Sequence, residues 1–209
     1  MIRLLVVDDH AIVRNGIRHT LEETGDIIVA DEARNSQEAL EKAVKNDYDV
    51  VLLDISMPGR GGLDVLKELK AMPKKHAVLI LSMYPEDQYA VRALRSGAAG
   101  YLTKESAPDE LITAIRKVST GGKYVTATLA EKLAGALGAY SAGAVHGHLS
   151  DREYQIMCMM ASGMMQTRIA EELSLSIKTI STYRTRILAK MGMSNNAEIT
   201  RYAIENRLV

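Results

Sequence analysis

The sequence predicts an α/β domain, a doubly wound five-stranded parallel sheet, followed by a small all-α domain with a helix-turn-helix. Three observations carry this reading. Residues 1 to about 120 alternate short apolar runs with segments whose apolar residues recur at helical spacing. Two of those runs, Val50–Leu53 and Val78–Leu81, are apolar at every position, as expected of strands covered by helices on both faces. From Leu149 onward only helical segments appear.

In chain order, strands are expected at Arg3–Val7, Ile28–Ala30, Val50–Leu53, Val78–Leu81 and Gly100–Leu102. The segments Ala11–Glu23, Ser36–Lys45, Leu63–Lys70, Glu86–Ser96 and Asp109–Ser119 follow them as helices. Alternation repeated five times implies a doubly wound parallel sheet. Thr128–Leu137 reads as helical and runs into small residues up to His148, a composition suited to a flexible linker. The expected division is a first domain over 1–122, a linker over 123–147 and a second domain over 148–209.

With 209 residues the chain can build two separate cores. Phe and Trp are absent, so aliphatic residues, Tyr and 11 Met must fill them. The single cysteine, Cys158, excludes an internal disulfide framework and fits a reducing cytoplasm. Asp8 and Asp9 arrive too early for a signal peptide, and no apolar run approaches the roughly 20 residues of a membrane span. A cytoplasmic protein without a membrane partner is expected. The formal net charge of zero hides a small asymmetry. Residues 141–209 carry 8 Lys+Arg against 6 Asp+Glu, whereas residues 1–140 carry 18 against 20. That permits a DNA-binding C-terminus without establishing one.

In open parallel sheets, chemistry collects beyond the carboxyl ends of the strands. The polar residues just past those ends are Asp8 and Asp9 after the first strand, Asp54 after the third, Ser82 after the fourth and Lys104 after the fifth. Three carboxylates on one rim repel one another unless a cation compensates. Mg²⁺ suits such a set, binding one or two carboxylates together with phosphate and water oxygens. Lys104 and Ser82 could then meet the charge on a transferring phosphoryl group, with a carboxylate as nucleophile. Singly, each residue is ordinary; Asp9 or His10 could simply cap the first helix. The joint placement after alternate strands carries the reading.

Val6-Val-Asp-Asp-His10, Leu52-Leu-Asp-Ile-Ser-Met-Pro58, Leu79-Ile-Leu-Ser82 and Gly97-Ala-Ala-Gly-Tyr-Leu-Thr-Lys104 together resemble the signature segments of the receiver domain of two-component systems, a flavodoxin-like fold. The resemblance implies that Asp54 is the phosphoacceptor, phosphorylated by a sensor histidine kinase. It further implies Mg²⁺ ligation by Asp8, Asp9, Asp54 and the Ser56 backbone carbonyl. Ser82 and Lys104 would contact the phosphoryl group, and Tyr101 would be the switch aromatic. Glu105 stands where many receivers have proline, so a cis peptide after Lys104 is less secure.

In the C-terminal segment, Ser150 and Glu153 form a capping box before a helix that stops at Gly163. Thr167–Leu173 and a helix from Ile177 to about Met191 flank a short break, the helix-turn-helix pattern. Ile177, Ile180, Tyr183, Ile187 and Met191 form the expected core stripe of the second helix. Lys178, Ser181, Thr182, Thr185 and Ala189 face the other way, flanked by Arg184, Arg186 and Lys190, and no acid occurs between Ser174 and Glu198. Short polar groups facing outward with cations at the margin suit a helix entering the major groove. Ser181, Thr182 and Thr185 are candidates for base edges; Lys178, Arg184 and Arg186 are candidates for phosphates. A final helix is expected over Ala197–Arg207. Leu149-Ser-Asp-Arg-Glu153, Ile169-Ala170, Lys178-Thr-Ile-Ser181 and Lys190-Met-Gly192 resemble the DNA-binding domain of NarL/FixJ (LuxR-type) regulators, with Met165 and Arg168 as departures. The resemblance implies a transcription factor that dimerises on double-stranded DNA. A phosphatase using Asp54 is the rival reading; it would want an acid two residues on, where Ser56 stands. Classical enzymatic turnover is therefore not expected beyond the chain promoting its own phosphorylation and dephosphorylation.

Overall fold

The computed structural model describes residues 1–74, 76–131, 145–206 and 208–209 and divides into two compact units, Met1–Leu129 and Ala130–Val209. In the first, strands β1 (Ile2–Val7), β2 (Ile27–Ala33), β3 (Val50–Asp54), β4 (Ala77–Ser82) and β5 (Gly100–Thr103) alternate with helices α1 (Ala11–Glu22), α2 (Ser36–Lys45), α3 (Gly62–Ala71), α4 (Glu86–Arg95) and α5 (Pro108–Ser119). The strands form one parallel sheet in the order β2-β1-β3-β4-β5. This is the expected doubly wound sheet. Leu4, Val6, Leu52, Leu79 and Leu81 pack against Ile17 and Leu21 of α1 and Ala114, Ile115 and Val118 of α5. Residues of opposite parity, Leu5, Val7, Val51, Leu53 and Ile80, are equally buried towards the other layer.

β2 extends beyond the expected Ile28–Ala30 because it is an edge strand. Its polar Asp31 and Glu32 remain half-buried while their backbone continues to pair with β1 through a register shift between Leu4 and Leu5. The chain after α5 stays with the sheet: Lys123 Nζ donates to Ala98 O at 2.6 Å, Tyr124 bridges Gly100, and Thr126 Oγ1 donates to Glu86 Oε2 at 2.7 Å. A Cβ on Gly100 would lie 2.7 Å from the Tyr124 carbonyl, so only glycine lets this segment approach. Residues 132–144, within the expected linker and the end of Thr128–Leu137, lie outside the described residues.

The described part of the second unit from Val145 onward has a 3₁₀ turn at Val145–His148 and the helices α6 (Asp151–Ala161), α7 (Gln166–Glu172), α8 (Ile177–Met191) and α9 (Asn196–Glu205). The capping box forms as expected: Ser150 Oγ accepts from the Glu153 N–H at 3.3 Å, and Glu153 Oε2 accepts from the Ser150 N–H at 2.8 Å. Ser176 and Asn195 cap α8 and α9 with their side chains alone, accepting the Thr179 and Glu198 N–H. α7 starts at Met165 without a side-chain cap, in keeping with the departure noted at that position. α8 ends on Gly192 in the left-handed conformation, φ 64°. Ile180, Ile187 and Met191 line its inner face as expected, but Ile177 does not join them. It is the first residue of α8 and is 54% exposed.

Candidate functional site

The parallel register brings the ends of β1, β3, β4 and β5 to one rim. Asp8 follows β1, Asp54 and Ser82 are the last residues of β3 and β4, and Lys104 follows β5. Lys104 Nζ lies 2.7 Å from both Asp54 Oδ2 and Asp8 Oδ2, with its side chain only 8% exposed. Asp54 Oδ1 accepts the Ser56 N–H at 2.8 Å. Burial pushes the Asp54 carboxyl above its ordinary value, and the Lys104 charge only partly offsets this. Burial opposes the charge on Lys104 as well, yet the Asp54 and Asp8 carboxylates outweigh it and hold the amine above its usual range.

Asp8, Asp9, His10 and Asp54 each offer a ligand atom within 4.8 Å of the others. His10 Nδ1 lies 3.2 Å from Asp8 Oδ1 and 3.1 Å from Asp9 Oδ1. It occupies the N-cap position of α1, but its side chain caps nothing. Asp9 Oδ1 is buried and accepts no hydrogen bond among the described residues. A buried carboxylate oxygen that accepts no hydrogen bond, beside two more carboxylates, is a donor set that fits a hard divalent cation. Ser56 Oγ is also buried without a hydrogen-bond partner.

The loop from β4 to α4 joins the remaining expected residues. Ser82 is fully buried, and its Oγ accepts the Tyr84 N–H at 3.1 Å. Tyr101 is fully buried too, its hydroxyl donating to the Tyr84 carbonyl at 2.8 Å; burial raises that phenol well above its ordinary value. Among the described residues every peptide bond is trans, including the one after Lys104.

Three contributors were not anticipated. Gly62 opens α3 directly against the loop after β3: a Cβ there would lie 2.2 Å from Asp54 O and 2.6 Å from Ile55 Cα. Arg14 reaches the Asp8 backbone, and Glu32 holds Arg14. Arg14 was detectable in the sequence, because it shares the inward helical phase of Ile17 and Leu21, where a cation is anomalous.

In the second unit, Lys178, Ser181, Thr182, Thr185, Arg186 and Ala189 are all exposed along α8. Arg184 is only half-buried and differs from them: its Nε donates to Asn196 Oδ1 at 2.7 Å, pinning α8 to α9. Lys190 likewise pairs with Glu153 at 2.6 Å. Thr182 Oγ1 donates to Lys178 O at 3.0 Å, and Thr185 Oγ1 donates to Ser181 O at 3.1 Å.

A receiver-type acid rim followed by a helix-turn-helix unit defines a class, and the family comparisons agree with it. The family described as Response regulator receiver domain matches residues 4–116, and the Bacterial regulatory proteins, luxR family, matches residues 147–203. The chain belongs to the NarL/FixJ (LuxR-type) family of response regulators. It is 37% identical to the response regulator UvrY of Escherichia coli (strain K12) over 209 residues, covering 100% of this chain and 96% of that one. It is also 37% identical to the response regulator GacA of Pseudomonas protegens, covering 100% and 98%. Among solved structures it resembles RcsB of Salmonella enterica serovar Typhimurium bound to promoter rprA in the presence of the phosphomimetic BeF₃⁻. That match has a TM-score of 0.65 and 28% identity, covering 97% of this chain and 98% of that one. No helix among the described residues is long and apolar enough to cross a membrane.

Proposed function

We propose that the chain is a DNA-binding transcription regulator switched by phosphorylation of Asp54. The observation that carries the reading is the single buried ammonium of Lys104 shared between Asp54 and Asp8. It sits on the rim where a buried Asp9 carboxylate oxygen accepts no hydrogen bond among the described residues. The phosphodonor is a phosphohistidine on a sensor kinase. A bond forms between an Asp54 carboxylate oxygen and phosphorus, the phosphorus–nitrogen bond breaks, and the imidazole nitrogen leaves with its electron pair.

Asp8, Asp9, Asp54 and the Ser56 carbonyl would hold Mg²⁺, which supplies charge neutralisation for the phosphoryl oxygens. Lys104 offers a second positive charge already aimed at Asp54. Ser82, released from the Tyr84 amide, can donate to a phosphoryl oxygen. Phosphorylation adds nearly two negative charges beside that hydroxyl, so states in which Ser82 and Tyr101 favour the charge gain population. The chain promotes its own phosphorylation and dephosphorylation on this rim, in the cytoplasm, where the buried thiol of Cys158 stays reduced. α8 enters the major groove, and two copies act as a dimer on DNA.

The test is incubation of the chain with Mg²⁺ and acetyl phosphate, followed by peptide mapping of the added mass. Asp54 is expected to carry it, and Asp54→Asn, which is nearly isosteric, is expected to fold and take up none. Omitting Mg²⁺ should remove almost all product. Full labelling of Asp54→Asn at another residue would sink the reading.

A further inference from the structure

The geometry points to Arg14 as a positioning residue of the acid cluster: it fixes the backbone of Asp8 and thereby sets the Mg²⁺ affinity of the rim. This rests on the proposed reading of the cluster as a Mg²⁺-assisted phosphoacceptor site. Arg14 lies on the buried stripe of α1 and is only 8% exposed. A buried cation is costly unless its donors are satisfied. Here Nη1 donates to Asp8 O at 2.8 Å, and Nε donates to Glu32 Oε2 at 2.9 Å.

The position of Asp8 explains why that carbonyl needs a donor. Asp8 is the first residue past β1; its N–H still reaches Ala33 O at 3.1 Å, but its carbonyl has run out of strand partner. Arg14 supplies the missing partner. The carboxylate is held separately, Oδ1 by the His10 N–H at 2.8 Å and Oδ2 by Lys104 at 2.7 Å. Asp8 is thus tied through its N–H, its carbonyl and both carboxylate oxygens, and its two backbone ties, Ala33 and Arg14, lead towards the edge strand β2. Glu32 receives Arg18 Nη1 on its other oxygen at 3.0 Å, and Lys42 Nζ donates to the Glu32 carbonyl. The edge strand therefore orients the guanidinium, and the guanidinium orients the ligand. Outer partners of this kind typically change metal affinity 10–100-fold. A guanidinium serves two acceptors in a fixed fork, which a lysine ammonium on a flexible stem cannot reproduce.

The experiment titrates the full chain with Mg²⁺ by calorimetry, for the wild type and for Arg14→Met, Arg14→Lys and Glu32→Ala. The melting temperature without Mg²⁺ is recorded alongside. Arg14→Met is expected to weaken Mg²⁺ binding by about tenfold or more. Arg14→Lys, which keeps one donor for the Asp8 carbonyl, should recover part of that loss. Glu32→Ala, which leaves Arg14 unsteered, should weaken binding severalfold. A purely structural Arg14 would lower the melting temperature and leave the affinity of the folded protein unchanged, and that result overturns the assignment. If Arg14→Met does not fold, unchanged affinity in both Arg14→Lys and Glu32→Ala overturns it equally. A wild-type chain that bound no Mg²⁺ would overturn the reading of the rim itself. Wild-type binding with unaltered variants would overturn only the role of Arg14.

Discussion

At Gly62 the absence of a single methyl group decides the geometry of the site. The first residue of α3 lies so close to the Asp54 carbonyl that a Cβ would meet backbone, which has no rotamer with which to move aside. Gly62→Ala is expected to cost about 1–3 kcal/mol through overpacking and to displace the Asp54 loop. Chemical denaturation measures the first effect, and the rate of acetyl-phosphate labelling measures the second. On α8, Thr182 and Thr185 spend their hydroxyl protons on the Lys178 and Ser181 carbonyls. Each exposed side chain keeps acceptor lone pairs and a methyl group free of those bonds. Such side chains accept from exocyclic amino groups or meet a thymine methyl. Thr185→Ala should therefore cost on the order of 1–3 kcal/mol on a duplex selected for binding and little on random sequence. Arg186→Ala should weaken both alike and lower the salt slope by about one unit. Equal losses on both duplexes for Thr185→Ala would move the reading face to another helix. Arg184, anchored to Asn196, is expected to affect helix packing before phosphate contact.

Elements differ in how openly their sequences announce them. β3 and β4 were legible because both faces are covered, so every position short of the polar last residues, Asp54 and Ser82, is apolar. β2 was underestimated, since an edge strand tolerates Asp31 and Glu32 and the apolar signal ends before the backbone pairing does. The rim acids were legible for a related reason: strand ends fix their position whatever the helices do. Gly62 was not, because it answers a backbone carbonyl that only the folded chain brings near; Arg14 shows in the sequence as a cation on the inward phase of α1, but the Asp8 carbonyl it meets does not. Ile177 was misassigned by periodicity, which gives direction around α8 but not whether a partner stands there at the first turn.

The start of α6 shows how one element reports on pH. Burial works against charge on Glu153, but the Lys190 ammonium and the Ser150 N–H prevail and hold its carboxyl below the ordinary 4.5. A depressed folded-state value contributes stability above the unfolded value and loses it as pH falls through the folded one. The second unit is therefore expected to lose stability on acidification below about 4.5, the ordinary carboxylate value. Glu153→Gln should flatten that dependence in thermal melts run from pH 7 to pH 3. Ser150→Ala removes one half of the capping box and should cost about 1 kcal/mol at neutral pH.

For the whole molecule, the two compact units make separate expression informative. Residues 148–209 alone are expected to fold as a helical domain and bind duplex DNA without phosphorylation. Affinity should fall steeply with salt, by roughly 0.9 in the log–log slope for each phosphate neutralised. A flat salt response would contradict the binding mode. A first-unit fragment ending at residue 129 should melt higher than one ending at 122, because the shorter fragment loses the contacts of Lys123, Tyr124 and Thr126.

Those contacts also have a mechanical meaning. Ser82, Tyr84 and Glu86 follow one another at alternate positions, and each is tied: Ser82 Oγ to the Tyr84 amide, the Tyr84 carbonyl to Tyr101, and Glu86 to Thr126. The chain that leaves the first unit is therefore moored to the same short loop that carries the buried serine. A displacement of Ser82 is therefore expected to be felt at Thr126 through the short backbone between residues 82 and 86.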